Sequence, residues 1–211
     1  MADTGKRKII QRITMWLLPV IIIGGIYWPY LGFAVGGMMV LFLVLAMFRG
    51  RHWCGWFCPR GAFLEIAMSP LTTRRHIPAL FRTTGFRWGV FVLLMFFMLL
   101  RVWYAGSDLE RLGFVFVTMC ILTTAVALPL AVIFHPRTWC VICPMGTLQG
   151  VLGGERTSIR VAESCVECGV CARQCPMGLN PAEYKATGVV PGSDCSKCGS
   201  CVVKCPKQAL S

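Results

Sequence analysis

The sequence predicts two parts: an all-α membrane domain of four transmembrane helices, built as two repeated hairpins, and a small α+β domain after it. Three observations predict this division. Hydrophobic residues make up 56% of the 211 residues and are concentrated before residue 150. Each of two apolar hairpins is followed by a cysteine turn, and eight more cysteines repeat one spacing near the C-terminus. We place the boundary between residues 1–152 and 153–211, where the composition turns polar.

Four apolar segments are long enough to cross a bilayer. No charged residue occurs from Ile13 to Phe48, and a single helix over that run would extend about 54 Å, nearly twice the hydrocarbon thickness of about 30 Å. The run therefore folds back at Trp28-Pro29-Tyr30, with Pro19 or Gly24-Gly25 as the place of a kink. The predicted spans are 12–28, 32–49, 88–104 and 113–134.

Basic residues are distributed unevenly between the ends of these spans. The formal net charge is +12, and of the 21 Lys and Arg only Arg101 and Arg111 lie on one side, beside Asp108 and Glu110. This is the positive-inside bias, and it predicts an inner-membrane protein with both termini and all cysteine motifs on the cytoplasmic side. We therefore expect membrane lipid around the chain and no nucleic-acid partner.

Eight cysteines near the C-terminus form two copies of the spacing C-x2-C-x2-C-x3-C-P, which is typical of bacterial ferredoxins with [4Fe–4S] clusters. In that pattern three thiolates hold one cluster and the fourth reaches the neighbouring one. A disulfide framework or zinc would not require so regular a doubled spacing. The sequence therefore predicts a two-cluster, ferredoxin-like domain with Cys165, Cys168, Cys171 and Cys205 on cluster 1, and Cys195, Cys198, Cys201 and Cys175 on cluster 2.

Two further cysteine pairs follow the second and fourth spans, and both read W-C-x(2–3)-C-P-x-G. The membrane half is therefore a duplicated unit of two helices and a turn. Because an iron–sulfur cluster usually takes four thiolates, the two pairs could share a third cluster. Turns that only pack helices, and redox-active dithiols, remain open as alternatives. The residues concerned are Cys54, Cys58, Cys140 and Cys143.

The remaining polar residues and thiols give weaker indications. His52 and His135 precede the two turns, but no span contains an internal histidine, so we do not expect haem. Cys120 lies inside the fourth span as a small buried residue without a partner. Glu65 is either a proton acceptor at the interface or a solvated partner of Arg60.

The four spans, the two cysteine turns and the terminal two-cluster segment together resemble the NapH-type membrane ferredoxins. They are also similar to the membrane halves of the NosR, PceC and CcoG proteins. The resemblance covers about residues 8–209, and the turn from Cys54 to Pro59 matches the family's C-x3-C-P. The turn from Cys140 to Cys143 departs from it by one residue. The resemblance implies an integral subunit that passes electrons between the quinone pool and partner redox proteins.

We therefore expect an electron-transfer subunit of a respiratory-type redox complex rather than a stand-alone enzyme, and we assign no catalytic residue. Quinone would react near the cysteine turns, and other redox subunits, including ferredoxin-like proteins, would be the partners. Two alternatives remain open: a membrane-bound metal reductase or assembly factor, and an iron–sulfur redox sensor.

Overall fold

A computed structural model describes residues 4–73, 75–154 and 158–211. Most of the described residues lie in helices, and most of these helices belong to the membrane half. The α-helices are α1 (Thr4–Thr14), α2 (Leu17–Tyr27), α3 (Leu31–Arg49), α4 (His52–Trp56), α5 (Pro59–Ile66), α6 (Thr84–Ala105), α7 (Leu109–Ile133), α8 (Thr138–Ile142), α9 (Pro144–Gly153), α10 (Val170–Gln174) and α11 (Ser200–Val203). Short 3₁₀ turns cover Ala79–Arg82 and Pro181–Tyr184.

The predicted four spans are confirmed as four helical segments long and apolar enough to cross a membrane in the described part of the chain. They are Gly5–Tyr27, Leu31–Arg49, Thr84–Ala105 and Leu109–Ile133. The chain is therefore a multi-pass membrane protein. The ends of the spans differ from the predicted ones by a few residues. The difference is largest at the first span, which begins earlier because it includes α1, a helix in the charged N-terminal segment.

The first span is broken between α1 and α2, at Met15 and Trp16. Pro19 explains the break, because it has no N–H to donate to the carbonyl of Met15 and its ring crowds that carbonyl. The amide of Leu18 bonds to the Met15 carbonyl instead, at 3.3 Å, in a tighter turn. Of the two predicted kink positions, the chain bends near Pro19.

Helices α3 and α7 touch at the end of the bundle far from the cysteine turns. A Cβ on Gly32 would overlap the carbonyl oxygen of Gly113, and one on Gly113 would overlap the carbonyl oxygen of Pro29. Small residues at such contacts let helix backbones approach closely in a membrane, where packing rather than the hydrophobic effect holds helices together. Asp108 begins α7 next to this contact by accepting bonds from the amides of Glu110 and Arg111.

The same order of elements occurs twice in the membrane half. Helix α3 leads into the short pair α4–α5, and α7 leads into the short pair α8–α9. Both pairs lie at the same end of the bundle, where α9 packs against α3 and α6. The order of elements after α3 is therefore the same as the order after α7.

The prediction of an α+β fold for the C-terminal segment is wrong. In residues 158–211 the only β-pairing is two isolated bridges, Arg160 to Val189 and Val161 to Leu210. Each chain segment pairs over one or two residues and then turns into a cysteine-bearing loop, so no strand can extend. The segment's apolar core is correspondingly small and combines Ile159, Val161, Met177 and Val190 with cysteines.

Replacing Gly32 with Ala should lower the free energy of unfolding by about 1–3 kcal/mol, the usual cost of overpacking. The new methyl group would meet the backbone of Gly113, which cannot move aside as a flexible side chain can. Thermal and denaturant unfolding in detergent measure this. Gly37→Ala is the matched control on the same helix, since a Cβ there meets nothing within 4 Å. Equal stability of the two variants would contradict the contact.

Candidate functional site

The structure brings Cys54, Cys58, Cys140 and Cys143 together; we call them the thiol quartet. All four line one cavity. The repeat predicted that both turns lie on the same side of the membrane, and it left open whether the four cysteines share one site. What the sequence did not show is which groups hold the two turns in register.

The two turns have the same local structure despite their different spacing. In each, the first cysteine lies in a short helix, α4 or α8, and the second precedes a proline that begins the next helix, α5 or α9. Cys58 and Cys143 both have extended backbones, with ψ angles of 115° and 128°. The extra residue of the first turn is absorbed at Phe57, between α4 and Cys58. The one-residue departure therefore leaves the geometry of the second cysteine unchanged.

Two buried arginines hold the turns by reaching across to each other's backbone. Arg51, three residues before Cys54, donates through Nη2 to the carbonyl of Cys140 at 2.6 Å. Arg137, three residues before Cys140, donates through Nη1 to the carbonyl of Cys54 at 2.8 Å. Both arginines are 1% exposed. The exchange is reciprocal, as the sequence repeat would require.

The glycine of each C-P-x-G motif lies against the arginine of the other turn. A Cβ on Gly146 would stand 2.7 Å from Nη2 of Arg51, and a Cβ on Gly61 would stand 3.3 Å from Nη1 of Arg137. The motif glycines thus leave room for the crossing guanidinium groups. The repeated R-x-W-C sequence at Arg51 and Arg137 is the signal that could have indicated this role beforehand.

Burial makes two of the quartet thiols, those of Cys54 and Cys140, hard to ionise in the absence of a bound group. It raises the pKa of Cys140 to about 12 although Arg137 opposes the shift. It also raises the pKa of Cys54 well above its usual range, against the effect of Arg51. Thiols must lose their protons to bind metal. A bound cationic group, together with Arg51 and Arg137, would keep these cysteines ionised as thiolates.

Glu65 in α5 is the acidic centre of this region, and its predicted partner was wrong. Its carboxylate accepts from Arg7 Nη2 at 2.6 Å, Arg137 Nε at 2.6 Å and Gln11 Nε2 at 3.2 Å, while Arg60 points elsewhere. Burial alone would raise the pKa of Glu65, but Arg137 and Arg7 outweigh it and the pKa is lowered. The ionised carboxylate therefore stabilises the fold at neutral pH, and this is lost only as the pH falls through the lowered pKa.

Arg60 and Cys120 lie near each other at the cavity wall. Arg60 Nη2 is 3.8 Å from the Cys120 sulfur, and the guanidinium carbon is 6.0 Å from the centre of the Trp139 ring. The expectation that Cys120 has no partner was therefore wrong. The Nε of Arg60 is buried without a hydrogen-bond partner.

The cavity that the quartet lines has a volume of about 190 Å³ and lies among the spanning helices. Methionines line much of it: Met38, Met39, Met95, Met98 and Met119. Its polar lining includes Arg60, Thr123 and Gln149, and the Oε1 of Gln149 is 2.8 Å from the Cys54 sulfur. Gln149 is fully buried. Sequence reasoning missed it because a lone glutamine in an apolar helix has no characteristic spacing.

The eight C-terminal cysteines surround two small cavities in the crossed combination that the sequence predicted. One cavity is lined by Cys165, Cys168, Cys171 and Cys205. The other is lined by Cys175, Cys195, Cys198 and Cys201. Each cavity thus combines three thiols from one spacing with the last thiol of the other. Burial raises the pKa of Cys175 to about 11 and that of Cys195 to about 12.

Each of the three cavities is lined by a set of four motif cysteines, and four thiols are the set of donors that binds an iron–sulfur cluster. Within the described residues no three His, Cys, Asp or Glu side chains stand close enough to hold one metal ion. A cubane of four irons and four sulfides is larger than one ion, and its ligands, at separate corners, stand further apart. The number of motif thiols at each cavity matches the number of ligands that such clusters use.

Comparisons with known proteins agree with these donor sets. Residues 31–78 and 117–160 match the family described as "4Fe-4S binding domain", and each stretch contains one cysteine turn. Residues 157–206 match the family described as "4Fe-4S dicluster domain" and contain both cysteine spacings. No solved structure matches the chain.

Curated relatives are similar over most of the chain. "Putative electron transport protein YccM" of Escherichia coli is 27% identical over 160 residues, which are 66% of this chain and 45% of that protein. An uncharacterized protein of Methanocaldococcus jannaschii is 27% identical over 84% of this chain and 76% of its own length. "Methylamine utilization ferredoxin-type protein MauN" of Methylorubrum extorquens is 30% identical over 74% of this chain and 58% of its own. The chain thus spans about half the length of YccM and MauN.

Replacing Glu65 with Gln should lower the free energy of unfolding by about 3–5 kcal/mol, because it leaves buried Arg7 and Arg137 without their shared negative charge. Denaturant unfolding in detergent at neutral pH measures the change. Glu110→Gln is the control, since Glu110 is exposed at the start of α7. A loss no greater than that of the control would show that the buried carboxylate does not hold these helices together.

Proposed function

We propose that this iron–sulfur electron-transport protein of the membrane relays electrons between the quinone pool and partner redox subunits of a respiratory-type complex. One observation carries the proposal: the thiol quartet and a methionine-lined cavity among the spanning helices share a wall. A lipid-soluble electron carrier in that cavity would stand next to the quartet. The sequence resemblance to NapH-type membrane ferredoxins supports the same function.

The proposal assigns three clusters to this chain. Cys165, Cys168, Cys171 and Cys205 would hold cluster 1, and Cys195, Cys198, Cys201 and Cys175 would hold cluster 2. The thiol quartet would hold a third. When bound, each cluster supplies a one-electron carrier whose potential depends on charge, hydrogen bonds and solvent exposure. The buried arginines Arg51 and Arg137 would offset the negative charge of the quartet thiolates.

The cavity is proposed as the place where a quinone head group binds. Its methionine side chains are flexible and polarisable, and such side chains adapt to flat rings. Arg60, with an Nε that has no partner, would donate to a quinone carbonyl oxygen. Oxidation of a quinol releases two electrons, which would pass singly to the quartet cluster, and two protons, which would leave to bulk water. Glu65, already bound by Arg7 and Arg137, is not among the residues that line the cavity.

Sidedness and partners belong to the proposal as well. The distribution of Lys and Arg supports the cytoplasmic face of the inner membrane for all three clusters. The proposed division into 1–152 and 153–211 lies one residue before the end of α9 at Gly153. Membrane lipid, quinone and ferredoxin-like redox subunits are the proposed partners.

Anaerobically purified protein should contain about twelve irons and twelve acid-labile sulfides per chain, which is four of each per cluster. EPR of the dithionite-reduced protein should show interacting [4Fe–4S] signals. Replacing Cys54 and Cys140 with Ser should remove about four irons and leave both C-terminal clusters bound. Eight irons in the unchanged protein would refute the quartet cluster, and folded protein without iron would refute the whole function.

Filling the cavity should separate quinone reactivity from cluster content. Met98→Trp places a large ring in the cavity, so reduction of the clusters by a short-chain menaquinol should slow by at least about tenfold, given how strongly such steps depend on position. Iron content and reduction by dithionite should not change. Stopped-flow absorbance under anaerobic conditions measures both rates.

Leu99→Trp is the matched control for this variant, because Leu99 is the next residue of α6 and is 62% exposed on the outside of the bundle. It should keep the menaquinol rate of the unchanged protein. Equal rates in both variants would exclude the cavity as the quinone site. No menaquinol reaction in any of the three proteins would reduce the function to a relay between protein partners.

A further inference from the structure

The two cysteine spacings of the C-terminal segment have the same local backbone. We call Cys165–Cys175 run one and Cys195–Cys205 run two; equivalent residues are 30 positions apart. Glu167 and Lys197 are left-handed, with φ angles of 53° and 51°. Gly169 and Gly199 follow, with φ angles of 71° and 73°, and each is followed by a short helix, α10 or α11. The runs are therefore two copies of one structure.

These two copies stand in opposite surroundings. Val166 in run one is 59% exposed, whereas its equivalent in run two, Ser196, is 2% exposed. Cys168 is exposed, whereas Cys198 is 7% exposed. Because sequence spacing and backbone are the same, the difference comes from what covers each run. Run two is covered by the membrane half, and run one faces away from it.

The contact between the membrane half and run two lies at the thiol quartet. A Cβ on Gly55, the residue after Cys54, would overlap the carbonyl oxygen of Ser196 and would stand 3.5 Å from the Cβ of Cys198. Only glycine allows the first cysteine turn to approach run two this closely. Cys54 of the quartet is thus one residue away from this contact, and Cys198 of run two is part of it.

Arginines of the membrane half fix this contact from several sides. Arg7 donates to the carbonyl of Gly55 and to the hydroxyl of Ser200, both at 3.1 Å. Arg51 donates to the carbonyl of Ser193, and Arg87 pairs with Asp194. Apart from the bond to Gly55, these interactions all reach residues 193–200. Arg82 adds bonds to the carbonyls of Met177 and Gly178, just after Cys175, which belongs to the same cavity as run two.

From this asymmetry we infer a fixed order of the redox centres: quartet, then the cluster of Cys175, Cys195, Cys198 and Cys201, then the cluster of Cys165, Cys168, Cys171 and Cys205. The inference rests on the proposed function. Single electrons from quinol enter at the quartet, cross the Gly55–Cys198 contact, pass to the outer cluster and leave there to a redox protein in solution or at the membrane surface. Reversed flow would use the same order backwards.

Solvent access of each cluster tests the order in the intact protein. In EPR power saturation, a water-soluble relaxation agent such as chromium(III) oxalate should speed relaxation of the cluster held by run one far more than that held by run two. Cys168→Ser and Cys198→Ser, at equivalent positions, assign the signals, because each shifts or removes the signal of its own cluster. Equal or reversed access of the two clusters would overturn the order.

The middle position of the run-two cluster is tested by magnetic coupling. In fully reduced protein, the variant Cys54→Ser/Cys140→Ser should lack the quartet cluster. The EPR lines of the run-two cluster should then become narrower and its spin relaxation slower, and those of the run-one cluster should not change. If the signal of run one changes instead, the order is wrong. Failure of the proposed function gives a different result. The unchanged protein would then contain no clusters or only eight irons, and this would be known from its iron content before the order of the clusters is tested.

Discussion

The exchange of Arg51 and Arg137 between the two cysteine turns is the constraint on which the rest of the site depends. Each guanidinium leaves its own turn and binds the backbone of the other, so neither turn can move without the other. Both groups are buried, and buried cations persist only where negative charge or well-placed acceptors compensate them. Glu65 provides part of that compensation, and carbonyl oxygens of the turns provide more.

The same arginines join the membrane half to the C-terminal segment. Arg137 shares Glu65 with Arg7, whose other bonds go to Gly55 and Ser200, and Arg51 continues to Ser193. These buried charged side chains therefore fix both the separation of the two turns and the position of run two against them. Electron transfer between bound centres depends on the distances between them. For the proposed function, the fold therefore has to keep the distances among the two turns and run two constant.

Much of the architecture could be predicted because hydropathy and cysteine spacing are strong, local signals. The four spans follow from uncharged length, and the crossed grouping around Cys175 and Cys205 follows from the spacing before each proline. The α+β prediction failed because a segment with short loops between ligands leaves no room for strands to extend. The partners of Glu65 and Cys120 could not be predicted, since they depend on which helix faces meet. Nor does the sequence distinguish Arg7 from the other basic residues near the N-terminus, although the structure buries it together with Gln11.

Cys168 is the most open of the thirteen thiols, and this has a consequence for damage by oxidants. Peroxide and dissolved oxygen attack accessible sulfur first. Oxidation by air should therefore begin at Cys168 and reach the buried cysteines later. A sample that has lost part of its visible absorbance would then still hold the clusters of the buried cysteines. The exposed cysteine would thus react with oxidants before the thiol quartet, which lies nearest the lipid.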